Sequence, residues 1–123
     1  MPDKKKRILV VEDEKPVARA LQLKLASAGF DVSIVYHGKH ALDMLEKESF
    51  DAVLLDLIMP VLDGFGVLEG MKKRGDKTPI IVSTNLGQED DERRAKEFGV
   101  RDYFVKADTP IQDVIDHVKR IVG

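Results

Sequence analysis

The sequence predicts an α/β fold in which one parallel sheet carries helices on both faces, and three observations point to it. Short β-branched runs recur along the chain, stretches of helical periodicity separate them, and the connections are short. Short βα connections make parallel neighbours, and right-handed crossovers then distribute the helices over both sides of the sheet.

The elements follow in order. Residues 8–11 form a continuous apolar run of the kind buried on both faces, the first strand. Leu21 and Leu25 fall on one stripe of a first helix, which Gly29 ends where a left-handed residue is wanted. Residues 32–35 give the second strand, Leu42 and Leu45 the inner stripe of the second helix, and residues 52–55 the third strand. Phe65, Leu68 and Met71 mark the third helix, opened by Asp63 as its N-cap and closed by Gly75. Residues 80–82 form the fourth strand, Ala95 and Phe98 mark the fourth helix before Gly99, and residues 103–105 form the fifth strand. The clearest stripe comes last, with Ile111, Val114, Ile115, Val118 and Ile121 on one side of a helix that Thr109 and Pro110 open as N-cap and first residue.

The 123 residues are expected to form a single domain over 1–123, since 43% are hydrophobic and no linker, repeat or low-complexity tract interrupts them. A formal net charge of −2 disfavours direct nucleic-acid binding and attraction to an acidic membrane. No run of 18 apolar residues occurs, and the basic stretch Lys4 to Arg7 leads into an apolar run too short for a signal peptide, so a soluble, cytoplasmic protein is expected. That basic stretch reads as a solvated flank. With no cysteine present, any chemistry must use oxygen and nitrogen groups.

Ligands of open parallel sheets bind beyond the carboxyl ends of the strands, where the strand order reverses. Glu12, Asp13 and Glu14 follow the first strand, Asp56 follows the third, Ser83 and Thr84 end the fourth, and Lys106 follows the fifth. Each alone has a bland reading as a cap, a turn residue or a solvated charge; together they crowd one edge of the sheet. Clustered carboxylates repel unless a cation neutralises them. Mg²⁺ suits such a cluster, because it accepts a few carboxylates and keeps positions for water and phosphate oxygens.

The motifs Ile8-Leu9-Val10-Val11-Glu12-Asp13-Glu14, Leu54-Leu55-Asp56-Leu57-Ile58-Met59-Pro60, Asp63-Gly64, Pro79-Ile80-Ile81-Val82-Ser83-Thr84 and Gly99 to Lys106 resemble those of the receiver domains of two-component response regulators. The resemblance spans roughly residues 7 to 121 and is closest in size to the single-domain chemotaxis type. It implies a doubly wound, flavodoxin-like sheet of five parallel strands in the order 2-1-3-4-5, with five flanking helices. It also implies that Asp56 is the phosphoacceptor and that Glu12, Asp13, Asp56 and the backbone carbonyl of Ile58 hold Mg²⁺. Thr84 and Lys106 would each contact a phosphoryl oxygen, and Tyr103 would turn as Thr84 is drawn inward, changing the surface of helix 4, strand 5 and helix 5. The implied partners are a sensor histidine kinase or histidine phosphotransfer protein as donor and a downstream protein as target. A phosphorylation-dependent homodimer is a further expectation.

Three departures from the family pattern bear on this. Ala107 stands where proline usually follows the lysine through a cis bond; a cis bond before another residue costs about 3 kcal/mol, so the loop is either trans and differently shaped or strained. Asn85 replaces the usual small residue after Thr84, and Ser83 offers a second hydroxyl. Ile58 and Leu86 are apolar where a polar group would orient an attacking water, which predicts slow self-dephosphorylation. Ile58 also lacks the carboxylate that a phosphatase would use as its acid, so a signalling phosphoacceptor is expected and not a turnover enzyme. The alternative is a degenerate receiver that binds partners without phosphorylation. His37 and His40 read as a surface pair and not as metal ligands, and His117 as a helix-surface residue without a role.

Overall fold

The computed structural model describes residues 5–123. Its elements are β1 (Arg7–Val11), α1 (Lys15–Ser27), β2 (Asp31–Val35), α2 (Gly38–Lys47), β3 (Ala52–Leu55), α3 (Gly64–Lys73), β4 (Ile80–Thr84), α4 (Glu89–Glu97), β5 (Asp102–Val105), a 3-10 turn (Lys106–Asp108) and α5 (Ile111–Val122). The sheet is five-stranded in the order β2-β1-β3-β4-β5, and every pairing is parallel. This is the doubly wound, flavodoxin-like arrangement expected.

Successive strand residues face opposite sides of a sheet, and the apolar runs fill two cores in this way. Leu9, Val11, Val53, Leu55, Ile80 and Val82 pack toward α2, α3 and α4. Ile8, Val10, Ala52, Leu54 and Ile81 pack toward α1 and α5, against Leu21, Leu25, Val114, Ile115 and Val118. The central strands β3 and β4 are wholly buried, whereas every residue of the edge strand β5 is half-buried. Among the described residues no helix is long and apolar enough to cross a membrane.

Local differences from expectation have physical causes. Thr109 does not cap α5: Pro110 takes ψ 144° at the cap position, so the helix begins one residue later, at Ile111, without a side-chain cap. Asp63 does cap α3, accepting from the Gly66 amide at 2.9 Å. His37 caps α2 by accepting from the His40 amide at 3.2 Å through Nδ1. His117 has a structural part after all: its Nδ1 lies 3.1 Å from Asp102 Oδ2 and its ring meets Phe104 edge-on, tying α5 to β5. Of the basic run, Lys4 lies outside the described residues. Arg7 is no solvated flank, since it donates to Glu48 at 2.6 Å and to the Ser49 carbonyl at 3.0 Å while lying over the Phe50 ring.

Candidate functional site

The strand order reverses at β1, which pairs with β2 on one side and β3 on the other. Two main-chain bonds fix the rim there: the Asp56 amide donates to the Val11 carbonyl at 3.0 Å and the Glu12 amide to the Val35 carbonyl at 3.1 Å. Glu12 and Asp56 are thereby held as buried carboxylates, 2% and 4% exposed. Asp13 is partly exposed beside them, and carboxylate oxygens of Glu12, Asp13 and Asp56 lie within 4.8 Å of one another.

Lys106 crosses from the end of β5 into this cluster. Its ammonium bonds Asp56 Oδ2 at 2.8 Å, contacts Glu12 Oε1 directly, and lies 3.8 Å from Glu14 Oε1. All described peptide bonds are trans, including Lys106–Ala107, and the 3-10 turn that starts at Lys106 places the lysine on Asp56. The second oxygens of Asp56 and Glu12 take main-chain donors, with Asp56 Oδ1 accepting from the Ile58 amide at 3.1 Å and Glu12 Oε2 from the Glu14 amide at 3.2 Å.

Burial is the largest influence on Glu12 and raises its carboxyl to about 7, with the Asp56 charge adding to the rise and the Lys106 bond opposing it. Burial works against the Lys106 ammonium, but its bonds to Asp56 and Glu12 outweigh that and raise its pKa. Three carboxylates against one ammonium leave room for more positive charge, and the donors are all hard oxygens. That donor set fits a hard divalent cation.

Thr84 is fully buried. Its hydroxyl accepts from the Leu86 amide at 3.4 Å. Tyr103, on the same core face, donates from its hydroxyl to the Leu86 carbonyl at 2.5 Å. Burial, reinforced by Asp91, Glu92 and Asp56, pushes the tyrosine up to about 12, so it remains a donor at neutral pH. The two expected switch residues therefore hold the two main-chain groups of one residue. Sequence reasoning missed this link, because backbone acceptors leave no mark in side-chain identity.

Ser83 lines the narrow space shared by Glu12, Leu54 and Asp56. Ile58 projects from the rim, half exposed, while Leu86 packs against the core instead of standing free over the site. Val61, in the same β3–α3 loop, takes φ 70°, the left-handed region that strains a β-branched residue. A roomier cleft lined by Met71, Lys77, Pro79, Phe98 and Arg101 opens at the amino ends of the strands, away from this cluster.

The family model for the response regulator receiver domain matches residues 8–119. Among curated proteins, the chain is 40% identical over 110 residues to "Probable transcriptional regulator ycf27" of Porphyra purpurea, covering 89% of this chain and 45% of that one. The chain thus spans less than half the length of the curated relatives it matches. Among solved structures, the Francisella response regulator 1452 receiver domain superposes with a TM-score of 0.90 at 27% identity, covering 95% of this chain and 96% of that one. The signal receiver domain of a signal transduction histidine kinase from Syntrophus aciditrophicus gives a TM-score of 0.85 at 29% identity, covering 95% and 89%. The matched residues include the whole carboxylate cluster and Lys106, and the chain belongs to the response regulator receiver domain family of two-component signalling.

Proposed function

We propose that Asp56 is the phosphoacceptor and that residues 1–123 act as a single receiver unit. The observation that carries this reading is the buried Asp56 carboxylate bonded to Lys106 at 2.8 Å inside an acidic cluster. A carboxylate oxygen is a competent nucleophile toward phosphorus. In the step, an Asp56 oxygen bonds to phosphorus as the P–N bond of a donor phosphohistidine breaks, and the imidazole leaves with a proton. The donor is a sensor histidine kinase or a histidine phosphotransfer protein.

Glu12, Asp13, Asp56 and the Ile58 carbonyl would hold Mg²⁺, which when bound offsets the charge gathering on the phosphoryl oxygens. Lys106 then bonds one phosphoryl oxygen as a compact point charge. The Thr84 hydroxyl, which accepts from the Leu86 amide, donates its own proton to another phosphoryl oxygen, and drawing it inward pulls on the loop that Tyr103 grips from the other side. That bias reaches α4, β5 and α5, where β5 is half-buried and α4 buries only Ala95. A downstream protein reads this surface in the cytoplasm, by contact or through a phosphorylation-dependent homodimer, without direct nucleic-acid or membrane binding.

Intact mass after incubation with acetyl phosphate tests the reading. A single phosphate adduct is expected with Mg²⁺ present and absent both without metal and in Asp56→Asn; an adduct that persists in Asp56→Asn would sink it. The lifetime of that adduct tests Ile58. A polar side chain at this exposed rim position can orient water toward the acyl phosphate, so Ile58→Asn is expected to shorten the lifetime several-fold, and an unchanged decay would count against the role given to Ile58.

A further inference from the structure

Glu14 stands at the cap position of α1, yet its side chain makes no bond to the helix. Its amide is fixed by Glu12 Oε2 at 3.2 Å, and its carboxylate lies 3.8 Å from the Lys106 ammonium at the open side of the cluster, itself 58% exposed. Lys106 meanwhile leans on Glu12 and Asp56, two of the three carboxylates whose oxygens converge. An ammonium and a divalent cation sharing the Glu12 carboxylate would stand within a few ångströms of each other, where like charges repel strongly. The lysine must then give up Glu12 as metal enters, and Asp56 is claimed by the metal as well. Glu14 is the remaining carboxylate within its reach.

We propose that Glu14 is a positioning residue that receives the Lys106 ammonium when a divalent cation takes Glu12, keeping the lysine beside Asp56 and easing metal entry. The inference rests on the functional reading above and extends it to a residue outside the converging carboxylates. Glu14 acts through Lys106, so its effect on metal must vanish when the ammonium is removed. Removing a carboxylate that acted only as a nearby negative charge would instead weaken metal binding equally with or without the lysine.

A double-mutant cycle separates the two. Isothermal titration with Mg²⁺ alone, at 0.15 M salt to screen distant charge, is run on the wild-type chain, Glu14→Gln, Lys106→Met and the double variant. With Lys106 present, Glu14→Gln is expected to weaken Mg²⁺ binding about threefold, the scale of a partly exposed ion pair. In the Lys106→Met background the same substitution should change the affinity by less than about 1.5-fold, within the scatter of independent sites. Lys106→Gln serves as the background if Lys106→Met fails to fold. Equal losses in both backgrounds, or no loss with Lys106 present, would overturn the inference and leave the phosphoacceptor reading standing. A wild-type chain that binds no Mg²⁺ would overturn the metal-dependent reading and the inference with it.

Discussion

The two walls of the acidic site are built differently. On the β3–α3 side, α3 buries Gly64, Phe65, Val67, Leu68 and Met71, and the Gly64 amide bonds the Leu57 carbonyl at 3.0 Å. A side chain at Gly64 would meet the Asp56 carbonyl oxygen at 2.5 Å and Leu57 Cα at 2.6 Å. On the β4–α4 side, α4 buries Ala95 alone and starts without a side-chain cap. The loop into it is held by the Thr84 and Tyr103 bonds to Leu86. Few buried contacts mean a low cost of local opening. The wall that carries Asp56 is packed on five buried residues of α3, and the wall that carries Thr84 and Leu86 opens at a lower cost.

The largest expected effect comes from disturbing the α3 wall. Gly64→Ala puts a methyl group into backbone atoms that have no rotamer to escape through, so the loop carrying Asp56 must shift. Overpacking of this kind costs about 1–3 kcal/mol. Urea denaturation should show a lowered midpoint with an unchanged slope, and an unaltered midpoint would mean that the wall yields more easily than its contacts imply.

Burying Glu12, which sits between the walls, produces a pH dependence whose sign follows from its raised pKa. A carboxyl that titrates near 4.5 when unfolded and near 7 when folded binds more protons in the folded state between those values. Stability from this group is therefore fully present below about 4.5 and is lost as pH rises through about 7. Glu12→Gln removes the titration, so the decline of the urea midpoint from pH 5 to pH 8 should be shallower than in the wild-type chain. An identical decline would place the cause elsewhere.

Much of this was legible in the sequence, for reasons that particular residues make plain. Strands such as residues 52–55 are buried on both faces, and such strands must be apolar throughout. The carboxylates and Lys106 were legible because the strands they follow all end at one rim of a parallel sheet. What stayed hidden depends on partners distant in the chain or on the main chain itself. Lys106 and Asp56 are 50 positions apart, and no local pattern says that Glu12 shares that lysine. The Leu86 backbone groups carry no side-chain signature. The start of α5 differs by one residue from the sequence expectation because proline fixes φ but leaves ψ open, and Pro110 takes the extended value.

The smallest expected effect lies in the α4 wall and sharpens the contrast most. Tyr103→Phe removes the donor to the Leu86 carbonyl while keeping the ring packed, and losing one such bond costs about 1 kcal/mol. Because α4 buries only Ala95 and meets α3 through the stacking of the exposed Arg94 on Phe65, that loss should appear locally. Hydrogen exchange of the α4 amides should accelerate several-fold, while the α3 amides, protected by five buried residues, exchange as in the wild-type chain. Equal acceleration in both helices would mean that the walls open as one unit, and Asp56, the proposed phosphoacceptor, could not be separated in stability from the loop proposed to sense it.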